Sequence, residues 1–181
     1  MPTFVSLLRG INVSGHRLIK MAELARLYES LGFTRVRTYV QSGNVLFDSK
    51  KSAATTHAAA ISQRIVRDLG HEVNVTVLTV AALTKIFAAN PLLGRPGIDS
   101  QFLHATFLNG KPPSDDALDM ITVPAHQDEK FILKNGVVYL YLPLGSGKSK
   151  LSNGFFEKAL GLPATTRNWR TVTALVELGR E

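Results

Sequence analysis

The chain has 181 residues, with 21 Lys and Arg against 14 Asp and Glu, five His, one Trp, no cysteine and a formal net charge of +7. An apolar fraction of 45% beside 19% charged residues suits a globular fold with a real core and excludes wholesale disorder, collagen-like repeats and coiled coil. Zero cysteine removes disulfides, thiolate nucleophiles, zinc ribbons and iron–sulfur clusters, while the basic excess points to an anionic partner.

Thr3 to Arg9 is a short apolar run of strand length that stops at Gly10-Ile11-Asn12-Val13-Ser14-Gly15. Its apolar part, Phe4 to Leu8, is too short for a signal core, and no run approaches the roughly 18 apolar residues of a membrane helix. The expected placement is therefore the cytoplasm, with no membrane. Met21, Leu24, Leu27, Tyr28 and Leu31 recur at helical spacing and stop at Gly32. Arg35 to Gln41 alternates, with Val36, Thr38 and Val40 on the face expected to be buried, and Ser42-Gly43 turns it into Asn44-Val45-Leu46-Phe47 as a hairpin. Ala54, Ala58, Ile61, Ile65 and Leu69 give a helix from Ser52 to Leu69, closed by Gly70, and Val73, Val75, Val77 and Val80 mark a fourth strand. A bridging helix from Ala81 to Ala89 then leads into the breaker-rich segment Leu93 to Asp99.

The second half partly repeats this order. His104 to Leu108 reads as a strand, Ser114 to Ile121 as a short acidic helix, and Glu129 to Lys134 with Val137 to Leu142 as a hairpin turning at Asn135-Gly136. Leu151, Phe155, Ala159 and Leu160 give a helix ending at Gly161, and Trp169, Val172, Leu175 and Val176 a last helix ending at Gly179. The expected class is α+β: two ferredoxin-like, split βαβ subdomains, residues 1–92 and 93–181, with antiparallel or mixed sheets and helices packed on them. Charge divides unevenly, net +6 over residues 1–90, −4 over 91–129 and +5 over 130–181.

Four acid-free loop clusters are the candidate sites. In Arg9-Gly10-Ile11-Asn12, a guanidinium and an amide beside a glycine suit a carboxylate or phosphate, or else Arg9 pairs with a neighbouring acid and Asn12 shapes a turn. Ser42-Gly43-Asn44 reads as a second polar site or as a plain hairpin turn. Gly145-Ser146-Gly147-Lys148-Ser149-Lys150 resembles the tail of a phosphate-binding loop, but Leu142 stands where that pattern needs glycine, and the preceding strand is an arm of an antiparallel hairpin. Lys148 and Lys150 can still hold an anion at a helix start. Thr165-Thr166-Arg167-Asn168-Trp169-Arg170 combines helix-capping residues with two arginines around the only Trp. An exposed Trp169 face would stack on a base beside Arg167; a buried one would anchor the last helix.

The absence of Asp and Glu from these clusters argues against a paired-carboxylate hydrolase or a magnesium site. His16, His57, His71, His104 and His126 show no metal spacing, so neither metal nor cofactor is expected; only His16 lies in a candidate loop. The strand face Arg35, Arg37, Tyr39 and Gln41 invites comparison with RNA-binding sheets, although the aromatic motif of those sheets has no match here and the face can instead lie buried between the halves.

Leu8-Arg9-Gly10-Ile11-Asn12-Val13, Met21, Gly32-Phe33, Val36-Arg37-Thr38-Tyr39, Ser42-Gly43-Asn44-Val45 with Phe47, Lys150-Leu151, and Thr166-Arg167-Asn168-Trp169 with Thr171-Val172 together resemble the bacterial domain-of-unknown-function 1697 family. The resemblance runs from the first strand to the last helix. It departs at Ser14-Gly15, where the family usually has Gly-Gly, and at Arg170, where the family usually has Asn. It implies two α+β subdomains and supplies no activity, substrate or catalytic residue.

The leading expectation is a protein that binds an anionic ligand, nucleic acid or a nucleotide, through Arg9, Asn12, Ser42, Asn44, Lys148, Lys150, Arg167, Asn168 and Trp169. Two alternatives stand beside it. One is an enzyme acting electrostatically on a small phosphorylated or carboxylated metabolite; the other is a protein-interaction module.

Overall fold

Period-two alternation and helical spacing build the first half in the expected order: β1 (Thr3–Leu8), α1 (Met21–Ser30), β2 (Thr34–Tyr39), β3 (Asn44–Asp48), α2 (Ala54–Leu69) and β4 (Val75–Thr79). The computed structural model describes residues 1–50 and 53–181; Ser52, where the sequence reading starts α2, lies outside them. The four strands form one antiparallel sheet in the order β2-β3-β1-β4. Phe4, Leu8, Val45, Phe47, Val75 and Val77 on one face pack with Leu24, Leu27 and Tyr28 of α1 and Ile61 and Ile65 of α2. Ser6 and Tyr28 share a 2.6 Å hydroxyl hydrogen bond inside this core, and burial pushes the Tyr28 phenol well above its ordinary pKa. The rings of Phe4, Phe33 and Phe47 surround His57, with centroids 4.7, 5.1 and 5.6 Å from it.

Two local departures have clear causes. Val80 begins a helix, α3 (Val80–Ala88), instead of ending β4, because the Thr79 hydroxyl accepts the Ala82 N–H at 3.1 Å and acts as a cap. β2 stops at Tyr39, and Val40, expected on the buried face, is 52% exposed with φ 49° in the turn. Gly43 holds that turn against β1. Its φ is 77°, and a Cβ there would lie 2.7 Å from Leu8 Cβ and 2.8 Å from Ile11 Cδ1, so only glycine fits.

The second half comprises β5 (Leu103–Leu108), β6 (Lys130–Lys134), β7 (Val137–Tyr141), α4 (Asn153–Leu160) and β8 (Ala164–Asn168), followed by α5 (Trp169–Arg180). Its sheet is also antiparallel, in the order β6-β7-β5-β8, which repeats the first sheet strand for strand. Both halves have the ferredoxin-like strand arrangement. The β6–β7 turn places Asn135 at φ 49° and Gly136 at φ 77°, the pair of positive angles that a two-residue hairpin requires.

Two segments of this half differ from the expected elements. Residues 114–121 form no helix; Ala117, Asp119 and Ile121 donate N–H bonds to Ser114, Asp116 and Leu118, a chain of single turns. Pro112-Pro113 precedes the segment and few apolar residues recur at helical spacing, so a helix would have little to bury. Residues 164–168 are a strand, not a helix start: Thr165, Thr166 and Arg167 pair with Phe107, Thr106 and Ala105 of β5, where β-branched side chains pack well. Leu118, Leu133, Val138, Leu140, Leu142, Leu151, Phe156 and Ala164 form the core of this half. By contacts the chain divides into two units, residues 1–85 with 175–181, and residues 86–174.

Candidate functional site

β1 lies between β3 and β4, so the chain leaving it at Leu8 emerges between two neighbours. The Leu8 N–H donates to the Gly43 carbonyl and the Arg9 N–H to the Asn74 carbonyl, both at 2.9 Å. The first two candidate clusters are therefore side by side. Asn12 fastens them: its Nδ2 donates to the Ile19 carbonyl at 2.9 Å and the Gln41 carbonyl at 2.7 Å, and its Oδ1 accepts the Ile19 N–H at 2.8 Å. Asn44, fully buried, donates from Nδ2 to the Tyr39 carbonyl at 3.0 Å and to Ser42 Oγ at 2.9 Å. Among these four residues the two amides hold backbone in shape, Ser42 accepts from one of them, and Arg9 is half-buried at the strand exit.

The backbone they hold is unusual. Gly10, Asn12, Ser14, Gly15 and Arg17, then Val40 and Gly43, all have positive φ. Left-handed angles at non-glycine residues are costly, above all at a β-branched one such as Val40, and concentrate where surrounding contacts over-determine them. Residues 9–20 contain Arg9, His16, Arg17 and Lys20 and no acid, and residues 40–44 contain no acid either. Sequence reasoning passed over Arg17 and Lys20. Both are exposed, and Arg17 Nη1 lies 3.2 Å from the space a side chain on Gly10 would fill. The available signal was that the acid-free stretch continues from Asn12 to Lys20. Val13, Leu18 and Val40 stand out into solvent around these cations, 56%, 69% and 52% exposed.

The other candidates belong to the second unit. Lys148 and Lys150 are exposed in the loop between β7 and α4, where Gly145 and Lys148 donate N–H bonds to Leu142 and Gly145 in two successive turns. Ser152 Oγ accepts the Phe155 N–H and so caps α4 itself. Arg167 is 8% exposed on β8; its Nη1 donates to Thr165 Oγ1 and to the Thr166 carbonyl, each at 2.9 Å, and burial pulls its pKa down to about 10. Asn168 Oδ1 accepts the Thr171 N–H at 2.8 Å, making it the cap of α5. Trp169 is 4% exposed and stacks on Phe87 with centroids 5.1 Å apart and planes 8° off parallel. Its indole packs inside the unit and presents no open face.

Among the described residues no three His, Asp or Glu come together in a way that could hold a metal ion. Among the described residues no helix is long and apolar enough to cross a membrane.

A family model described as a protein of unknown function, DUF1697, matches residues 1–139. Among solved structures, a conserved bacterial protein from Streptococcus pneumoniae is similar, with a TM-score of 0.76, 19% identity and 98% of each chain covered. No curated protein matches at a significant level. At 19% identity the structural likeness speaks to the shared fold and not to an activity.

Proposed function

We propose that this chain, which belongs to the DUF1697 family of proteins of unknown function, binds the phosphate backbone of a nucleic acid through the loop that follows β1. The observation that supports this reading is the acid-free loop itself, with Arg9, Arg17 and Lys20 on a backbone that Asn12 pins to the neighbouring hairpin turn. Cations on a fixed frame lose less freedom on binding than cations on a loose loop. The loop is open, with residues 13–18 all exposed, and an open basic surface suits an extended polyanion better than a single nucleotide, which a closed pocket would hold. Asn12, Ser42 and Asn44 act in this reading as the frame. Lys148 and Lys150 are the candidate phosphate contacts of the second unit, while Arg167, Asn168 and Trp169 shape β8 and α5. The proposed setting is the bacterial cytoplasm.

Fluorescence anisotropy of a labelled single-stranded oligonucleotide, titrated at several salt concentrations, tests the proposal. The logarithm of the affinity should fall linearly with the logarithm of salt, by about 0.7 per phosphate neutralised. Replacing Arg9, Arg17 and Lys20 together by Ala should reduce that slope by about 2. Absence of binding at low salt, or an unchanged slope in the triple variant, overturns the proposal.

A further inference from the structure

The loop after β1 is itself a small piece of β structure. Val13 and His16 form an antiparallel bridge, the His16 N–H donates to the Val13 carbonyl at 2.9 Å, and the Asn12 N–H donates to the Arg17 carbonyl at 3.1 Å. Ser14 and Gly15 between them have φ of 50° and 75°, the two positive angles of a tight hairpin turn. Residues 12–17 are therefore a two-stranded finger. Ile11 and Ile19, 1% and 2% exposed, bury the chain on either side of it, and the Asn12 side chain ties its base to Ile19 and Gln41. Beyond that base residues 13–18 are all exposed, and a Cβ on Gly15 would meet nothing within 4 Å, so the tip stands free in solvent.

Nucleic acids differ in how well they accept such a finger. An arm of three residues at about 3.3 Å each reaches about 10 Å. The major groove of B-form DNA, about 8.5 Å deep and about 12 Å wide, admits a two-stranded ribbon. The major groove of an RNA duplex is too narrow for side chains to read. Single strands are held by stacking their bases on aromatic rings, and residues 9–20 and 40–44 contain no Phe, Tyr or Trp. The bridge also sets Val13 and His16 side by side on one face of the finger. A valine methyl suits the thymine methyl group and an imidazole N–H suits the acceptors of guanine, all of which the major groove displays.

We propose that residues 12–17 enter the major groove of double-stranded DNA, with Val13 and His16 against base edges and Arg9, Arg17 and Lys20 on the phosphates that border the groove. This assignment rests on the phosphate-binding reading of the loop and names the nucleic acid that the loop takes.

Fluorescence anisotropy with a short DNA duplex, either of its strands alone and an RNA duplex of the same sequence tests it at one low salt concentration, the RNA duplex controlling for charge density. The DNA duplex should bind about tenfold or more tighter than the other probes. Dimethyl sulfate footprinting identifies the groove, because guanine N7 lies in the major groove and adenine N3 in the minor; guanine N7 should be protected. The double variant Val13→Ala with His16→Ala changes two exposed side chains and leaves the three phosphate-binding cations in place. It should reduce the preference for the DNA duplex to within about threefold and remove the N7 protection, with the salt slope unchanged. Equal binding of the DNA and RNA duplexes, protection of adenine N3 in place of guanine N7, or a preference that survives the double variant overturns the groove assignment while phosphate binding stands. Absence of binding to every probe overturns both.

Discussion

The stretch that follows β1 and the stretch that follows β5 hold the same place in two sheets of identical strand order, yet they differ in almost every physical respect. Residues 9–20 contain three Lys or Arg and no acid, bend through five positive φ angles, and lead into the regular helix α1. Residues 109–129 contain one Lys and five Asp or Glu and form no helix. Even so, Leu118 of that segment is buried, and Ala117, Val123 and Ala125 pack on the same core as Phe156 of α4. The strand order therefore does not depend on a crossover helix. What it requires is apolar cover for one sheet face, and a helix and a run of turns both provide it. The charge contrast has a separate consequence, since only the first of the two equivalent places suits an anion.

The largest test of this contrast is in the cores. Phe47→Ala in the first half and Phe156→Ala in the second should each cost about 3–5 kcal/mol in urea denaturation, because both rings are fully buried. A cost below about 1 kcal/mol for Phe156 would mean that the turn-covered half lacks a tightly packed core. Next in size, Asn12→Ala strands two carbonyls and one N–H and should cost about 2–3 kcal/mol, whereas Asp119→Ala in the equivalent acidic segment should stay within about 0.5 kcal/mol. Similar costs at the two sites would erase the distinction between a pinned loop and a covering one. Asn168→Ala removes the cap of α5 and should cost about 1 kcal/mol, with Asn168→Ser close to neutral; an equal loss in both variants would assign the residue another role.

The smallest expected effect is a pH dependence in β5. Burial holds His104 below its ordinary pKa, with the Phe102 carbonyl pulling weakly the other way. The folded chain thus favours the neutral ring, and the unfolded chain takes up the proton first. This contribution is complete above the ordinary histidine value of about 6.5 and is lost as pH falls below it. His104→Gln should flatten that part of the stability profile between about pH 7 and pH 5, and an unchanged profile would show that the ring is well solvated when protonated.

Element order was legible because apolar residues repeat at clear periods in α1, α2, β1 and β7, and because Gly70, Gly161 and Asn135-Gly136 punctuate them. β8 was hidden by ambiguity in its chemistry. Threonine is a good helix cap and a good strand residue, and only the pairing with β5 decides between them. Residues 114–121 misled in the opposite way, since acidic residues after a serine look like a helix start when the cover they provide is made of turns. At the candidate site, sequence pattern identified polar residues in loops but could not separate frame from contact. Asn12 and Asn44 resemble ligand groups in the sequence, and in the fold their amides donate to backbone carbonyls, a feature that rests on tertiary partners such as Gln41 and Tyr39. Trp169 is similar, because its stacking on Phe87, 82 residues earlier, leaves no local trace.

Gly43 touches no charge, yet the room it leaves for Leu8 and Ile11 determines how closely the hairpin turn approaches the basic loop. Spacing and polarity are therefore controlled at different positions. Arg17 and Lys20 carry their charge on exposed side chains, whereas position 43 admits no side chain. The charge that this frame presents to solvent and the geometry of the frame are thus set by different residues.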